Sequence, residues 1–354
     1  MTRVLYIDDE IDRPGREARK YKDLLHLAGT FECELQPPPQ RFSDVPSQFD
    51  AVLIDLDLSV PSAGREPVGY FGSTLASEIR MRDPARPIIL VTKPNVISGK
   101  AQLLEDSGDI DLIIFKDDIN RDRDGTRAKI VALIDGFRAL AAIREQDWQK
   151  VLELIKADND EANLLREAAP PIEHGKWSIP QVARWIRNVV MGFPGILYDD
   201  LTAATRLGIS LESFRKPTVQ AMMRQAKYVG VFGTYKERWW RNRIFQIAQA
   251  LLLKQKMRGS IPERFREAFV IELREELTPA VCIVDGTPTA DWVCHILKKP
   301  VKQRNSIPYY PDNRPSVMDQ ARVSFKAIQE RGEFDESLVD ADSYELVRKL
   351  MRGE

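Results

Sequence analysis

Several residue types and motifs that mark particular classes of protein are scarce or absent in this sequence. The 354 residues include three cysteines, Cys33, Cys282 and Cys294, which are too few and too scattered for a disulfide framework. No stretch approaches the ~18 uninterrupted apolar residues of a membrane span. The opening MTRVLYIDDE does not have the shape of a signal peptide. These absences exclude disulfide-rich secreted proteins and membrane proteins, and we expect a cytoplasmic protein.

The formal net charge of −1 hides an uneven distribution of charge along the chain. Residues 1–176 contain 24 Lys and Arg against 32 Asp and Glu, whereas residues 177–258 contain 14 against 4. An acidic N-terminal segment and a basic central segment predict separate modules with separate partners.

Short apolar runs alternate with helical patterns over the first 145 residues. The apolar runs, which predict buried strands, lie at 4–7, 31–35, 51–58, 87–91 and 112–115. The helical patterns lie at 13–28, 73–82, 96–106 and 126–145. This alternation predicts an α/β fold with a doubly wound, five-stranded parallel sheet.

Polar side chains lie at or near the ends of four of the five predicted strands. They are Asp8 and Asp9 after the first strand, Asp55 in the third, Thr92 after the fourth and Lys116 after the fifth. Because parallel strands end at the same edge of a sheet, we expect these five side chains to converge. Three carboxylates offer the oxygen ligands that Mg²⁺ prefers, and a carboxylate can attack a phosphoryl group. A lysine and a threonine hydroxyl can hold the phosphoryl oxygens.

Five motifs in order resemble the receiver domain of two-component response regulators over about residues 1–145. They are VLYIDDE at 4–10, FDAVLIDLD at 49–57, GSTLASEIR from Gly72, IILVT at 88–92 and IIFK at 113–116. The resemblance implies a flavodoxin-like fold and a histidine kinase or phosphotransfer protein as the partner that supplies the phosphoryl group.

The resemblance also implies a role for each residue at the predicted sheet edge. Asp55 would be the phosphoacceptor, and Thr92 and Lys116 would contact the phosphoryl group. The implied Mg²⁺ ligands are Asp8, Asp9, Asp55 and the backbone carbonyl of Asp57.

The sequence departs from the receiver pattern at four places. Lys93 follows the strand-four threonine, where a small residue is usual, and Asp117 stands where a proline is usual. Ile113 occupies the position of an aromatic switch residue. Residues 59–71 form an insertion expected to lie over the site. The alternative is therefore a receiver that is not phosphorylated and acts as a protein-interaction scaffold.

Residues 126–157 carry apolar or small residues at a spacing of three to four, which predicts one long helix. Such a helix can relay the state of the receiver, form a homodimer seam or pack on the second module. Pro170 and Pro171 mark a break. We predict a receiver core at 1–125, the last receiver helix and a connector at 126–168, and a mainly α-helical output module at 177–354.

The predicted output module resembles no known family. Its helical patterns lie at 179–191, 199–207, 211–227, 236–257, 262–277, 316–331 and 343–351, with one short strand pattern at 280–284.

A helix-turn-helix pattern and the basic composition make DNA a candidate partner of residues 177–258. In LTAATRLGISLESFRK (201–216), Gly208 permits a turn and Ser210 can cap a second helix. The candidate contacts to nucleic acid or to a partner protein are Arg206, Arg215, Lys216, Arg238, Arg241 and Arg243. Many helical proteins contain such a turn without touching DNA, so a protein partner is the alternative.

Two further clusters have both a functional and a structural interpretation. In YKERWWRNRIF (235–245), the tryptophans can stack on bases, but helical spacing favours Trp240 in the core with the arginines solvated outside. Residues 282–295 hold two cysteines, two aspartates and a histidine, at a spacing that matches no familiar zinc site.

The sequence therefore predicts a response regulator that relays phosphorylation of Asp55 to an output module. We do not expect a conventional enzyme, because no catalytic motif is present in the C-terminal half. A receiver-gated enzyme is the rival hypothesis, and it requires a pocket lined by perturbed carboxylates around 285–295.

Overall fold

A five-stranded parallel sheet forms the core of the N-terminal part of the chain. The computed structural model describes residues 1–11, 17–58, 68–94, 108–143, 147–168, 177–311, 314–315, 317–331 and 334–353. The strands are β1 (Thr2–Ile7), β2 (Phe31–Gln36), β3 (Ala51–Asp55), β4 (Ile88–Thr92) and β5 (Leu112–Phe115). Their spatial order is β2-β1-β3-β4-β5, with every neighbouring pair parallel. The predicted doubly wound fold is confirmed.

The strands are nearly continuous runs of Val, Ile and Leu because both faces of the sheet are covered. Val52, Leu53 and Ile54 in β3 are all 0% exposed. The nearby helices are α1 (Glu17–Leu25), α2 (Gly72–Arg82), α3 (Lys116–Arg121) and α4 (Arg123–Ala141). The predicted helix at 96–106 lies outside the described residues. Helix α3 was not predicted, and it begins directly after β5 with Lys116 as its first residue.

The prediction of one helix over residues 126–157 is wrong. Helix α4 ends at Ala141, and α5 (Trp148–Ile155) is a separate helix. Asp147 explains the restart, because its Oδ1 accepts a hydrogen bond from the backbone N–H of Gln149 at 2.8 Å. The apolar positions of α4 are buried, with Ile130 at 0% and Phe137 at 1% exposed. These side chains therefore pack against other parts of the same chain.

The chain divides into two compact units that alternate along the sequence. The first comprises Met1–Leu154, Pro171–Trp185 and Gly230–Tyr235, and the second comprises Ile155–Pro170, Ile186–Val229 and Lys236–Glu354. The predicted domain boundaries at 125, 168 and 177 stay predictions. The remaining helix of the first unit, α7 (Ile179–Arg184), packs on α4.

The second unit is mainly helical, as predicted. Its helices are α6 (Asn159–Glu167), α8 (Asp200–Arg206), α9 (Leu211–Phe214), α10 (Pro217–Met222), α11 (Arg241–Lys254), α12 (Pro262–Leu273), α13 (Phe325–Arg331) and α14 (Tyr344–Met351). Its short strands are β6 (Leu197–Tyr198), β7 (Trp239–Trp240), β8 (Trp292–Val293), β9 (Pro300–Val301), β10 (Ser306–Pro308) and β11 (Arg322–Ser324).

Three predicted helices of the second unit are wrong in part. The helix at 211–227 is broken by Pro217, which cannot donate to a preceding turn and starts a new helix instead. The helix at 236–257 begins only at Arg241, after β7 pairs with β6. The helix at 316–331 begins at Phe325, after β11 pairs with β10.

The predicted strand at 280–284 does not form, because Val281 makes only an isolated bridge to Pro288 and a turn follows at residues 283–285. The backbone N–H of Gly286 donates to the carbonyl of Cys282 at 2.9 Å, and Gly286 has φ +67°. Asp-Gly is a strong turn sequence because glycine adopts this left-handed conformation without a steric cost. None of the helices in the described ranges is long and apolar enough to cross a membrane.

Gly72 gives a test of how tightly α2 is placed against the end of β3. A Cβ atom at Gly72 would lie 2.0 Å from the backbone oxygen of Asp55, so something must move to admit it. We expect Gly72→Ala to lower the free energy of unfolding by about 1–3 kcal/mol, measured by urea denaturation. Gly69→Ala is the matched control, because its added Cβ meets nothing within 4 Å. Equal effects of the two substitutions would contradict this expectation.

Candidate functional site

The five predicted polar residues lie together at the carboxyl edge of the sheet. Asp55 is the last residue of β3 and pairs with Val91, and Thr92 is the last residue of β4. All five are at least nine-tenths buried: Asp8 0%, Asp9 2%, Asp55 7%, Thr92 1% and Lys116 4% exposed.

The three aspartates form a compact cluster of oxygens. One carboxylate oxygen from each of Asp8, Asp9 and Asp55 lies within 4.8 Å of the others. Among the described residues, this is the one group of three or more His, Cys, Asp or Glu side chains close enough to share a metal ion.

Lys116 joins two of these carboxylates. Its Nζ lies 2.5 Å from Asp55 Oδ2 and 3.3 Å from Asp8 Oδ2. The ring of Tyr21, on α1, lies under the same ammonium at 5.6 Å from its centroid. Lys116 is also the first residue of α3.

Tyr6 fixes the orientation of Asp8, and sequence reasoning missed it. Its hydroxyl donates to Asp8 Oδ2 at 2.7 Å, and the backbone N–H of Glu10 donates to Asp8 Oδ1 at 2.9 Å. Burial and the neighbouring Asp8 raise the pKa of Tyr6 well above its usual value, so its hydroxyl stays a donor. Residues two apart on a strand share a face, and that spacing was the available signal.

Burial dominates the electrostatics of this site. It raises the pKa of Asp55 to about 7, with Lys116 opposing the shift and Asp8 adding to it. Burial alone lowers the pKa of Lys116, but the charges of Asp55 and Asp8 outweigh it and raise that pKa. Lys116 therefore stays charged, and Asp55 is the group that titrates near neutral pH.

The charge of the cluster fits a divalent cation. Three ionised carboxylates and one ammonium leave an excess of negative charge in a buried place, which is costly. Carboxylate oxygens are the ligands that Mg²⁺ prefers, so the three aspartates fit this ion. Asp57 is exposed beyond the end of β3, and its backbone carbonyl stays a predicted ligand.

Lys93, the main departure from the receiver pattern, has a partner on α1. Its Nζ lies 2.8 Å from Glu17 Oε2, and both side chains are partly exposed. This contact was not predicted, because Glu17 lies 76 residues away in sequence. Of the insertion at 59–71, residues 59–67 lie outside the described residues.

The predicted helix-turn-helix forms only in part, because its second helix is short. Gly208 has φ +74° and Ser210 caps α9, as predicted, but α9 spans only Leu211–Phe214. Arg215 pairs with Asp200 at 3.1 Å, and Lys216 pairs with Glu275 at 2.9 Å.

The other four candidate contacts are also engaged within the chain. Arg206 and Arg241 both bind Asp319, at 2.8 and 3.1 Å, and Arg238 donates to the carbonyl of Met191 at 2.8 Å. Arg243 makes two hydrogen bonds to a carboxylate that is almost fully buried, that of Glu161, at 2.8 and 2.6 Å.

Both tryptophans lie in the core, as favoured for Trp240, although they form the strand β7 and not part of a helix. Trp239 is 1% and Trp240 is 0% exposed, so neither offers a face for base stacking. The expectation that the neighbouring arginines are solvated is wrong, because the side chains of Arg241 and Arg243 are only 25% and 24% exposed.

Cys282, Cys294 and Asp285 of the segment 282–295 serve local structure. Cys282 Sγ accepts a hydrogen bond from Asn305 at 3.3 Å, and Cys294 Sγ accepts one from the backbone N–H of Ser324 at 3.3 Å. Hydrogen bonds from Thr287 hold the pKa of Asp285 far below its usual value. A carboxylate held this strongly in its ionised form cannot act as a general acid near neutral pH.

No protein-family model matches this chain, and no curated protein matches it. Three solved structures illustrate what it is similar to. A CheY-like receiver domain protein from Methanospirillum hungatei JF-1 has 16% identity over 39% of this chain and 97% of its own, with a TM-score of 0.27. A receiver domain protein from Clostridium thermocellum has 17% identity over 34% of this chain and 93% of its own, with a TM-score of 0.23.

The response regulator RcsB of Salmonella typhimurium, in a structure concerned with its DNA interaction, has 17% identity. That match covers 54% of this chain and 90% of RcsB, with a TM-score of 0.26. All three of these structures are of response regulators or receiver domain proteins. At these TM-scores the matches carry no argument about function, which depends instead on the geometry of the site.

The raised pKa of Asp55 predicts pH-dependent metal binding. A metal ligand must be ionised, so Mg²⁺ affinity should rise about tenfold from pH 6 to pH 8, across the pKa of about 7. Between about pH 4 and pH 7 the folded state holds a proton that the unfolded chain has lost. The stability of the metal-free protein should therefore fall as pH rises through this window. Calorimetric titration with Mg²⁺ and urea denaturation at each pH measure the two effects.

Two substitutions control this experiment. Asp55→Asn should remove the pH dependence of Mg²⁺ binding, because the amide does not titrate. Asp57→Asn should retain it, because only the backbone of Asp57 is a predicted ligand. A flat affinity from pH 6 to pH 8 in the unsubstituted protein would rule out Asp55 as the titrating ligand.

Proposed function

We propose that this protein is a cytoplasmic response regulator that accepts a phosphoryl group on Asp55 from a histidine kinase or a phosphotransfer protein. The observation that carries the proposal is the buried Asp55–Lys116–Asp8 network at the carboxyl edge of the sheet. Burying a charged network of this kind costs free energy. Phosphoryl transfer gives each of its three side chains a role.

The chemistry follows from the groups present. An Asp55 oxygen attacks phosphorus, the P–N bond to the donor histidine breaks, and the imidazole leaves with the bonding electrons. Lys116 exchanges its contact with Asp55 for the phosphoryl oxygens, and the Thr92 hydroxyl donates to them. Mg²⁺, held by Asp8, Asp9, Asp55 and the carbonyl of Asp57, would neutralise the charge that develops on these oxygens.

Lys116 can transmit phosphorylation from the site to the neighbouring helices without an aromatic switch residue. It is the first residue of α3, which packs on α1 and α4, and α4 packs on α7. We propose that movement of Lys116 on phosphorylation shifts α3 and then α4. This proposal takes the place of the relay predicted for one long helix, and it needs no homodimer.

For the output we propose contact with a protein partner, ahead of duplex DNA. The six basic residues named as candidate contacts are all engaged within the chain, and the second helix of the helix-turn-helix has four residues. A recognition helix must reach base edges along the major groove, and one turn of helix offers little length for this.

The phosphorylation proposal is tested by intact mass after incubation with acetyl phosphate and Mg²⁺. We expect a gain of one phosphoryl group in the unsubstituted protein and no gain in Asp55→Ala. Asp57→Ala is the matched control and should still be modified, because only its backbone is used. A folded protein that gains no mass would act as a docking platform instead, with Lys93 the first residue to substitute.

The output proposal is tested by fluorescence anisotropy with a labelled random duplex DNA, with and without beryllofluoride. We expect no saturable binding at micromolar protein, in either 50 or 200 mM salt. Affinity that falls steeply between these salt concentrations would favour DNA instead, because phosphate contacts release counterions. In that case Arg215→Ala with Lys216→Ala should weaken binding, whereas Lys326→Ala with Lys349→Ala, outside the basic segment, should not.

A further inference from the structure

The second unit contains a cavity that neither the receiver chemistry nor the predicted partner contacts explain. Its volume is about 330 Å³, and its walls come from residues 193–206, 292–298, 314 and 319–321. This volume lies in the range of cavities that bind small molecules.

The cavity is lined by more positive than negative side chains. The cations are Arg206, Lys298 and Arg314, and the carboxylates are Asp199 and Asp319. Asp199 is occupied as the N-cap of α8, where it accepts a hydrogen bond from a backbone N–H at 2.7 Å.

Asp319 is saturated by groups of the protein. It accepts hydrogen bonds from Arg206 at 2.8 Å, Arg241 at 3.1 Å and the hydroxyl of Tyr198 at 2.7 Å. Two guanidinium groups therefore share one carboxylate beside the cavity. Asp199 keeps its charge, which acts on Lys298, whereas Asp319 is shared by two guanidinium groups.

Lys298 and Arg314 are the cations of the lining that form no close ion pair. Across the described part of the chain, no Asp or Glu lies within 4 Å of either charged group. Arg314 is instead held in place by the backbone oxygens of Met318 and Asp319, at 2.8 and 3.2 Å. Lys298 lines the cavity and has φ +50°, an uncommon conformation that is often found at functional positions.

The rest of the wall is largely apolar. Trp292 stacks on the guanidinium of Arg206, whose Cζ lies 3.7 Å from the ring centroid, and Leu201 and Val293 also line the space. Burial, with a contribution from Lys298, lowers the pKa of His295 to about 4. His295 is therefore neutral at pH 7 and can accept a hydrogen bond from a ligand.

We propose that this cavity binds a small organic anion, whose carboxylate or phosphate group contacts Lys298 and Arg314 and whose apolar portion packs against Trp292 and Leu201. Pockets of this kind combine apolar walls with a few placed polar groups, and arginine suits both anionic groups because of its planar donors. The proposal does not depend on phosphorylation of Asp55. With such a site, the output module would respond to a small organic anion independently of the receiver.

The test is ligand-observed NMR and calorimetry on the full chain with benzoate, phenyl phosphate, inorganic phosphate and benzyl alcohol. We expect saturable binding of benzoate or phenyl phosphate, and whichever binds tighter identifies the anionic group. Benzyl alcohol, which lacks the charge, and inorganic phosphate, which lacks the ring, should each bind at least about tenfold more weakly.

Matched substitutions locate the site. Lys298→Gln and Arg314→Gln should each weaken binding of the preferred anion about tenfold, whereas Lys299→Gln, one residue away and outside the lining, should not. Trp292→Leu should weaken the aromatic anions and leave inorganic phosphate unchanged. Equal binding of benzoate and benzyl alcohol, equal effects of Lys298→Gln and Lys299→Gln, or no saturable binding of any anion would each overturn the proposal.

Discussion

The burial of Lys116 among the carboxylates at the sheet edge is the constraint around which the first unit is organised. Removing one partner of a buried ion pair typically costs about 3–5 kcal/mol, because the other charge is left uncompensated. Asp55, Asp8 and Lys116 are therefore interdependent, and Tyr6 holds Asp8 in place through its hydroxyl. Gly72 belongs to the same arrangement, since only a residue without a side chain fits against the Asp55 carbonyl.

The second unit uses its positive charge differently from what its composition indicates. Residues 177–258 are strongly basic, yet several of their arginines bind acidic residues from distant parts of the chain. Arg243 binds Glu161, and Arg206 and Arg241 bind Asp319. Local charge excess is therefore a poor guide to a nucleic-acid surface when the compensating carboxylates lie far away in sequence.

Local signals predicted the elements of the first unit well and those of the second less well. The parallel strands are buried on both faces, so they appear in the sequence as continuous apolar runs between helical patterns. Helix lengths depend on weaker signals, such as the cap at Asp147 and the helix start at Pro217. The short strands β6 and β7 form only because two distant segments pair.

The sequence by itself determined the parallel sheet and the placement of Asp8, Asp9, Asp55, Thr92 and Lys116 at one edge. Both follow from the period of the strands and from the geometry of parallel sheets, which require no knowledge of long-range contacts. Only the tertiary structure decided which groups compensate the buried charges, because an ion pair is set by distance in space. Tyr21 under Lys116, Glu17 beside Lys93 and the shared Asp319 are all contacts of this kind.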